Sequence, residues 1–443
     1  MLLFDFLYVV IVLVTLPLWI KYVFKKEYRS LLKHRLSPDI DETVTKKRVW
    51  LHAVSVGEVR SLKNLVENLK NLYNDKEIVL SVTTPTGFEF AKQQLPGIKI
   101  INAPLDFSFV IKTFIKKINP QLLILNELEI WPNWISITHK KEIPVLLING
   151  RISDRAFIWY QRFAWLLRPF FNRINRFLVQ TEIHKERFLK LAVPGERIVV
   201  CGNIKADEAF NALEHLPPDQ TILEFLRINK EQLKGRKIIT IASSHLNDEK
   251  LVIPIINNWA NDFFFIIVPR HLTRVDEIEK QLQDHNVCFT TWGKAIHENE
   301  NTQPGRNGNA LIFDRMGYLF NILKISDIVF MGGTLNAKVG GHNLYEPAVM
   351  GKVIVGGPCF NNFPAIGTDL VQKGVYHVVN SSCEFKSFLG QSERIDFTKI
   401  KQEAVTAVST RRGSIACILK EIEYLLGVVN AGIKTKKRRT LDD

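Results

Sequence analysis

The chain has 443 residues, of which 46% are hydrophobic and 23% are charged. This length exceeds one ordinary domain and suffices for two cores of about 150–200 residues each; the average apolar content excludes a globally disordered chain, a collagen and a small disulfide scaffold. The net charge of +14 at pH 7 favours an anionic partner such as a phosphate, a nucleotide, a nucleic acid or a membrane surface.

The first twenty residues predict a membrane segment. Seventeen of them are apolar, and Asp5 carries the only charge, which is just enough to cross a bilayer core of about 30 Å. Six lysines and arginines follow between residues 21 and 35, so the positive-inside rule places the rest of the chain in the cytoplasm. We predict an uncleaved anchor over 1–22. The alternatives are a buried first helix, or a helix lying in the membrane interface with Trp19 and Tyr22 at its rim.

From about residue 47, short β-branched runs alternate with amphipathic stretches such as 59–70, a pattern typical of parallel sheets with helices on both faces. The first series predicts strands at 47–53, 78–83, 98–101, 121–126, 144–148, 176–180 and 197–201. A second series predicts strands at 237–242, 263–268, 286–290, 310–313, 327–331 and 353–356. The polar segment 291–309 predicts a loop.

The predicted fold is therefore α/β, with two tandem Rossmann-like, doubly wound domains that face a cleft. We expect an acceptor-side domain over 36–210, a linker over 211–235, which contains a Pro-Pro pair, and a nucleotide-binding domain over 236–405. A C-terminal helix over 406–427 is expected to pack back on the first domain, and a basic tail occupies 428–443. Its run 434–439 is either solvated or in contact with anionic lipid.

Five cysteines are scattered without a C-x-x-C pair: Cys201, Cys288, Cys359, Cys383 and Cys417. An odd, scattered set argues against a disulfide framework and a zinc ribbon, and it favours a reducing compartment.

Ligands of doubly wound sheets bind beyond the carboxyl ends of the strands, so the residues that follow each strand matter most. After the first strand, Gly57 permits a tight turn and Glu58 falls in the first helical turn, where the positive helix end is expected to keep the carboxylate ionised. Glu58 then acts either as a general base or, with Ser55, as part of a capping box.

Two further acids, Glu127 and Glu129, close a strongly apolar strand, where carboxylates are costly unless paired or exposed to a cleft. Strand alternation puts both on the same side. Arg151 follows the next strand, either facing the cleft or pairing with Asp154 at the surface. Lys205 follows a later strand and a glycine, and it either neutralises developing negative charge or is solvated.

The second domain offers cations and glycines. Ser243 and Ser244 are natural N-caps, with His245 at the helix start, and Arg270 and His271 follow a strand; arginine suits bidentate phosphate recognition. A later strand runs into two glycine pairs, His342 and a helix opened by Asn343, whose free N–H groups suit a phosphate. In that helix Glu346 either accepts hydrogen bonds from ribose hydroxyls or caps together with Asn343.

No P-loop and no H-E-x-x-H pattern occur, and Asp39-Ile40-Asp41 lies between the anchor and the first strand, where a turn or helix cap is expected. No metal and no cofactor are therefore implied. Basic residues and helix ends are expected to stabilise a phosphate leaving group instead.

Taken in order and at these separations, the motifs resemble the lipid A Kdo (3-deoxy-D-manno-octulosonic acid) transferase family from the anchor to about residue 425. The matching segments are HAVSVGEV, TTPTG, NELEIWPN, NGRISDR, GNIKAD, ASSH, VPRH, MG, GGHNLYEPA and GPCFNNF. The resemblance implies an inverting glycosyltransferase of the two-Rossmann (GT-B) type, with CMP-Kdo as donor. It further implies a lipid A precursor glycolipid as acceptor, a location at the cytoplasmic face of the inner membrane and no nucleic-acid partner.

Carried over by motif, Glu58 would be the base, and Glu129 and Lys205 would stabilise the transition state. The residues implied in CMP binding are Pro269, Arg270, Met316, Gly317, Tyr318, Asn343, Leu344, Tyr345 and Glu346. Further cleft candidates are Ser55, Gly57, Glu127, Arg151, Ser243, Ser244, His245, His271, Gly340, Gly341 and His342. The family pattern has glutamate where this chain has Tyr318, and threonine where it has Leu128, so a carboxylate contact at 318 would be lost.

Two other functions compete with this one. Another membrane-associated GT-B enzyme of lipopolysaccharide synthesis, such as a lipid A disaccharide synthase or a heptosyltransferase, would use a uridine or adenine donor. A membrane-tethered nucleic-acid-binding protein would explain the basic charge and would bind RNA with strong salt dependence, but the sequence shows no interleaved aromatic and basic platform.

Overall fold

The computed structural model describes residues 2–23, 26–40, 47–73, 76–226, 228, 233, 235–297 and 308–439. The chain forms two compact units, one comprising Met1–Glu208 together with Arg412–Asp443, and the other comprising Ala209–Arg411. Each contains a seven-stranded sheet in which every pair is parallel. The prediction of two parallel-sheet α/β domains is confirmed.

The sheet of the first unit has the order β3-β2-β1-β4-β5-β6-β7. Its strands are β1 (Lys47–Ala53), β2 (Lys76–Val82), β3 (Lys99–Asn102), β4 (Pro120–Asn126), β5 (Val145–Gly150), β6 (Arg176–Val179) and β7 (Ile198–Val200). The helices are α1 (Leu2–Val23), α2 (Lys26–Leu36), α3 (Val56–Leu72), α4 (Pro85–Gln94), α5 (Ser108–Ile118), α6 (Pro132–Lys140), α7 (Asp154–Arg162), α8 (Ala164–Phe171), α9 (Glu182–Lys190) and α10 (Ile204–Glu214), the last of which continues into the second unit.

The central strands of this sheet are buried on both faces. Trp50 and Leu123 contribute to one hydrophobic core, whereas the neighbouring Leu51 and Ile124 contribute to a second core. Side chains alternate between the faces of a strand, so an uninterrupted apolar run is what a sheet covered by helices on both sides requires. This explains why apolar runs of the sequence located the strands.

The sheet of the second unit has the order β10-β11-β9-β8-β12-β13-β14. Its strands are β8 (Lys237–Ser244), β9 (Phe263–Pro269), β10 (Phe289–Thr291), β11 (Ala310–Ile312), β12 (Ile328–Met331), β13 (Val353–Gly356) and β14 (Tyr376–Val378). The helices are α11 (Asp219–Phe225), α12 (Leu246–Val252), α13 (Val275–Asp284), α14 (Trp292–His297), α15 (Leu319–Ile325), α16 (Tyr345–Val349), α17 (Pro364–Gln372), α18 (Ser382–Gly390) and α19 (Phe397–Ser409).

Two segments expected to lack regular structure contain helices. Within 211–235, α11 places Ile222 and Leu223 in a hydrophobic core of the second unit, and Pro218 directly precedes its first residue. Within 291–309, α14 occupies the first part, and residues 298–307 lie outside the described residues. In both cases the polar, proline-containing composition of the segment concealed a short helix.

The last helix, α20 (Ser414–Arg439), belongs to the first unit. Its residues Ile415, Ile418 and Ile422 are buried in the core beneath α3 and β4. The Asp207 carboxylate accepts hydrogen bonds from the backbone N–H groups of Gly413 (2.8 Å) and Ile415 (2.8 Å), which satisfies donors at the helix start. The side chains of the basic run 434–439 lie outside the described residues.

A disulfide joins Cys201 to Cys417 across 216 residues of sequence, with a Cα–Cα distance of 5.6 Å. The sequence-based argument against disulfides was wrong for this pair. Spacing along the chain does not reveal that α20 returns to the end of β7, where the two cysteines meet. Cys288, Cys359 and Cys383 carry free thiols.

The N-terminal segment is helical, as α1 shows. Among the helices of the described residues, none combines the length and the hydropathy that a membrane span requires. Phe4 packs edge-on against Phe170 of α8 at 5.3 Å between ring centroids, while Phe6 and Val14 are 67% and 73% exposed. The bilayer anchor stays a prediction.

Candidate active site

Charged residues follow three neighbouring strands of the first unit. The strands β1, β4 and β5 are adjacent in the sheet, and Glu58, Glu127 and Arg151 follow them in turn. Because parallel strands end at the same edge, the topology brings these side chains together. We call Glu58, Glu127 and Glu129 the carboxylate cluster.

Glu58 is held at the start of α3 by donors from two strands. Its Oε2 accepts hydrogen bonds from the backbone N–H of Val54 (3.0 Å) and from Nδ2 of Asn126 (3.2 Å), and the Ser55 hydroxyl lies 3.4 Å from its Oε1. Ser55 is the N-cap residue but makes no side-chain cap bond. The reciprocal capping box is therefore not formed, although Glu58 does satisfy a backbone N–H group.

Burial raises the pKa of the Glu58 carboxyl to about 7, and the nearby charges of Glu127 and Glu129 act in the same direction. The hydrogen bonds from Val54 and Asn126 oppose this shift without cancelling it. The expectation that the helix end keeps Glu58 ionised was wrong, because desolvation of the charged form outweighs the local donors. At neutral pH this carboxyl is close to the midpoint of its titration.

Gly57 lies in the first turn of α3. Its φ is not positive, so its backbone is that of an ordinary helix. The tight turn predicted for it does not occur. A Cβ at this position would meet no atom closer than Ser55 Oγ at 3.9 Å, so the glycine leaves open space beside Glu58.

Glu127 and Glu129 lie beyond the end of β4, and their backbone no longer alternates as a strand. Glu127 has a φ of 59°, in the left-handed region, so the argument from strand alternation does not apply. Burial raises the pKa of Glu129 and the charge of Glu127 adds to it, whereas the indole N–H of Trp131, 2.9 Å from Glu129 Oε2, opposes it. The charge of Glu127 therefore affects the pKa of Glu129 across the space between them, although the two residues do not alternate as in a strand.

Arg151 turns toward the carboxylate cluster, with its Nε 3.3 Å from Glu127 Oε2. Asp154, the surface partner considered for Arg151, forms an ion pair with Arg187. The positive charge of Arg151 thus partly offsets the negative charge of the acidic side chains at this edge of the sheet.

Lys205 follows β7, four strand positions from β1 along the same edge. Its backbone N–H donates to Asn203 Oδ1 (3.0 Å), Asn203 Nδ2 donates to Gln180 (3.2 Å), and Gln180 Nε2 donates to Asn149 Oδ1 (3.0 Å). This row of amides links the ends of β5, β6 and β7. Lys205 therefore lies at the same sheet edge as Glu58. The strands β4, β5 and β6 lie between β7, which precedes Lys205, and β1, which precedes Glu58.

In the second unit, the nucleotide-binding candidates follow the adjacent strands β11, β9, β8 and β12. Ser243 and Ser244 belong to β8, and the N-cap of α12 is His245, which corrects the cap assignment. Ser243 has a φ of 53°, and the Ser244 hydroxyl donates to Glu249 (2.8 Å).

Three histidines gather at this edge, and we call His245, His271 and His342 the histidine cluster. The Nε2 atoms of His245 and His342 are 2.9 Å apart with stacked rings, and the His271 ring centroid is 6.0 Å from that of His245. Burial lowers the pKa of His342 to about 4, and the charge of Arg270 adds to the effect. Burial likewise lowers the pKa of His245.

The glycines of the following loop permit close backbone contact. A Cβ at Gly332 would lie 2.3 Å from the Ser243 carbonyl oxygen, and Gly340 and Gly341 both have positive φ. The helix α16 begins at Tyr345 and not at Asn343.

Four of the residues implied in CMP binding surround that helix start. Asn343 Oδ1 accepts from the Tyr345 N–H (3.1 Å) and its Nδ2 donates to Glu346 (3.1 Å), so both capping residues are engaged with each other. The side chains of Leu344 and Tyr345 are buried, whereas those of Asn343 and Glu346 are partly exposed.

Pro269 ends β9, and the backbone N–H of Arg270 donates to the Ser244 carbonyl (3.1 Å). Met316 is exposed, Gly317 has a φ of 94°, and the Tyr318 ring stacks on Phe225 at 4.9 Å between centroids. The Tyr318 ring, at the position where the resemblance implies glutamate, is thus part of an aromatic cluster.

Sequence reasoning missed two buried polar residues that form hydrogen bonds with these groups. Asn126 and Asp248 are buried polar residues; Asp248 accepts from the backbone N–H groups of His245 (2.9 Å) and Gly333 (2.8 Å). A polar residue closing an apolar strand was the available signal for Asn126, whereas nothing in the sequence links Asp248 to Gly333. Among the described residues, no three His, Cys, Asp or Glu side chains are grouped to hold a metal ion.

Residues 29–208 match the family model described as 3-deoxy-D-manno-octulosonic-acid transferase (kdotransferase). The chain is 30% identical over 342 residues to the 3-deoxy-D-manno-octulosonic acid transferase of Haemophilus influenzae, covering 76% of each chain. It is also 30% identical over 405 residues to a bifunctional glycosyltransferase/methyltransferase of Fusobacterium nucleatum, covering 91% of this chain and 61% of that protein. Among solved structures, a UDP-GlcNAc 2-epimerase from Neisseria meningitidis shares the fold, with a TM-score of 0.58, 14% identity, and coverage of 85% of this chain and 99% of that one.

Proposed function

Because the chain belongs to the 3-deoxy-D-manno-octulosonic acid transferase family, we propose that it transfers Kdo from CMP-Kdo to a lipid A precursor, lipid IVA, in synthesis of the lipopolysaccharide inner core. The observation that carries this proposal is the raised pKa of the buried Glu58 carboxyl. A general base works best when its pKa lies near the operating pH, and burial raises the pKa of Glu58 to about 7.

In the proposed reaction, Glu58 takes the proton of an acceptor hydroxyl. The resulting oxygen attacks the anomeric carbon of Kdo from the face opposite the nucleotide, the bond from that carbon to the phosphate oxygen breaks, and CMP leaves with inversion of configuration. Asn126 and the Val54 N–H bind one oxygen of Glu58, so they fix the direction in which its carboxylate faces.

Glu129 and Lys205 are proposed to stabilise the transition state, Glu129 through the positive charge that develops on the sugar and Lys205 through the negative charge on the departing phosphate. The second unit is proposed to bind the nucleotide. Arg270 and the histidine cluster offer donors to its phosphate, and Asn343 and Glu346 offer polar groups to its ribose. We propose no metal in this reaction, since these cations and N–H donors suit a phosphate leaving group.

The exposed apolar surface supports a lipid acceptor and attachment to the cytoplasmic face of the inner membrane. Phe6 and Val14 of α1 are exposed, as are Trp159 and Trp165, and the rings of Trp159 and Phe163 stack. Aromatic residues of this kind are enriched at membrane interfaces. We propose that this surface brings the first unit to the lipid.

Mass spectrometry of the lipid product tests the proposal. The full-length protein, lipid IVA and CMP-Kdo in detergent are expected to give a lipid heavier by one or more Kdo units and an equivalent amount of CMP, with and without EDTA. The Glu58→Ala variant is expected to give neither. Turnover with a uridine or adenine sugar nucleotide and none with CMP-Kdo would contradict the proposed donor.

A further inference from the structure

The one charged residue in the apolar N-terminal run is bound to the body of the first unit. Asp5 Oδ1 of α1 accepts hydrogen bonds from the backbone N–H of Ser108 (2.8 Å) and from Nδ2 of Asn133 (2.9 Å). Ser108 is the first residue of α5, so the Asp5 carboxylate satisfies a free N–H at a helix start. A lipid anchor alone has no use for such a carboxylate, which lowers the apolar character of the segment.

A second carboxylate from the same neighbourhood binds the start of α6. Asp106, which is 7% exposed, accepts from the backbone N–H groups of Asn133 (3.0 Å) and Trp134 (2.7 Å). The Asn133 side chain donates to the Asp106 carbonyl (2.6 Å) as well as to Asp5, and Tyr8 of α1 donates its hydroxyl to Asp106 (2.9 Å). Two residues of α1 therefore support the pair Asp106 and Asn133.

The start of α6 in turn carries a contact to the carboxylate cluster. Trp131 is the N-cap residue of α6, and its indole N–H donates to Glu129 Oε2 (2.9 Å). Three residues separate Glu129 from Asn133 along the chain, and Pro132 among them restricts the backbone. A shift of the α6 N-terminus is therefore passed to Trp131 and to the carboxylate it binds.

We propose that Asp5, Tyr8 and Asp106 are positioning residues for Glu129, so that α1 is a structural component of the transfer site in addition to its contact with lipid. The inference rests on the proposed function, because the role of Glu129 belongs to it. Small displacements of positioned groups cost enzymes up to about 10²-fold in rate, so loss of the Asp5 contacts is expected to lower kcat substantially without weakening membrane binding.

The variant Asp5→Leu separates the two roles of α1. Leucine makes the helix more apolar, so binding to vesicles of anionic phospholipid is expected to stay at least as strong as in the wild type, while kcat falls about 10-fold or more with an unchanged KM for CMP-Kdo. Asp5→Asn retains an acceptor oxygen for Ser108 and is expected to restore most of kcat. Glu186→Leu, which replaces an exposed acid of α9 in the same unit, is the matched control and is expected to leave kcat unchanged.

Coupling to Glu129 distinguishes positioning from a general loss of structure. In a Glu129→Gln background, the further change Asp5→Leu is expected to cost no additional kcat, because the group that Asp5 positions is already lost. Fully additive losses in the double variant, or an unchanged kcat in Asp5→Leu alone, would overturn the inference.

Amide hydrogen exchange provides a readout that does not need turnover. In Asp5→Leu the amides of Asn133 and Trp134 are expected to exchange about 10-fold faster or more than in the wild type, while those of α3 keep their rates. Unchanged protection at Asn133 and Trp134 would refute the positioning role even if the protein proved to use another sugar donor. Failure of the wild type to transfer Kdo, with exchange altered as expected, would refute the proposed function alone.

Discussion

The carboxylate cluster of the first unit and the histidine cluster of the second occupy equivalent places, beyond the carboxyl ends of adjacent central strands, yet they carry opposite kinds of titratable group. In both, burial is the largest cause of the pKa shift: it raises the pKa of Glu58 to about 7 and lowers the pKa of His342 to about 4. Each shift favours the uncharged form. The comparison teaches that burial at the same sheet edge favours the uncharged form of a carboxyl in one unit and of an imidazole in the other.

The strongest test of the comparison removes the proposed base. Glu58→Gln keeps the shape of the side chain and loses the proton acceptor, so kcat is expected to fall about 10²- to 10⁴-fold, measured as CMP release. Glu67→Gln, at an exposed position of the same helix, is the control and should turn over like the wild type. A Glu58→Gln variant with wild-type kcat would remove Glu58 from the chemistry.

The two units also differ in covalent structure. In the first unit a disulfide joins Cys417 of the C-terminal helix to Cys201, which follows β7. Cys417→Ser is expected to lower the free energy of unfolding of the first unit by about 2–4 kcal/mol, measured by denaturant unfolding without reductant. Cys383→Ser, which removes a free thiol of the second unit, should have little effect. Equal stability of Cys417→Ser and wild type would show that the disulfide contributes nothing to the fold.

The role given to the second unit is tested by its arginine. Arg270→Lys keeps the charge but loses the planar fork that binds phosphate oxygens in pairs, so the KM for CMP-Kdo is expected to rise about 10-fold while kcat changes little. Arg394→Lys, exposed in the same unit, serves as the control. A fall in kcat with unchanged KM would place Arg270 in the chemical step and weaken the contrast between the clusters.

The smallest effect is expected from the indole that holds Glu129. Trp131→Phe removes one hydrogen bond to the carboxylate and keeps the aromatic bulk, so kcat is expected to fall about 3- to 10-fold at constant KM for donor. Trp259→Phe, at a partly exposed site of the second unit, controls for the loss of an indole. Equal kcat in the two variants would mean that Glu129 does not need this donor.

Most strands were predictable because they are buried on both faces and therefore uninterrupted in apolar character; β12 and β13 fell within one residue of their predicted ends. The short edge strand β14 was missed, since its three residues Tyr376–Val378 leave no pattern to detect. The helix α11 was concealed by Pro217 and Pro218, which indicated a linker.

The sequence indicated which residues to consider for the candidate site, but it did not indicate their pKa shifts. Strand ends pointed to Glu58 and Glu129, but the degree of burial that sets the pKa of Glu58 is a property of the packed unit. The left-handed backbone at Glu127, the bridge between Cys201 and Cys417, and the contacts of Asp5 all join residues distant in sequence or depend on local backbone that no periodicity encodes.

The pH dependence of kcat/KM tests the central claim most directly. A base whose pKa is raised from its ordinary 4.5 to about 7 is active when deprotonated, so the rate should rise with pH, reach a plateau above about 8, and lose about tenfold per unit below 6. The residual rate of Glu58→Gln should lack this limb. A wild-type rate that is constant between about pH 5.5 and 8.5, or a limb that persists in Glu58→Gln, would contradict the account.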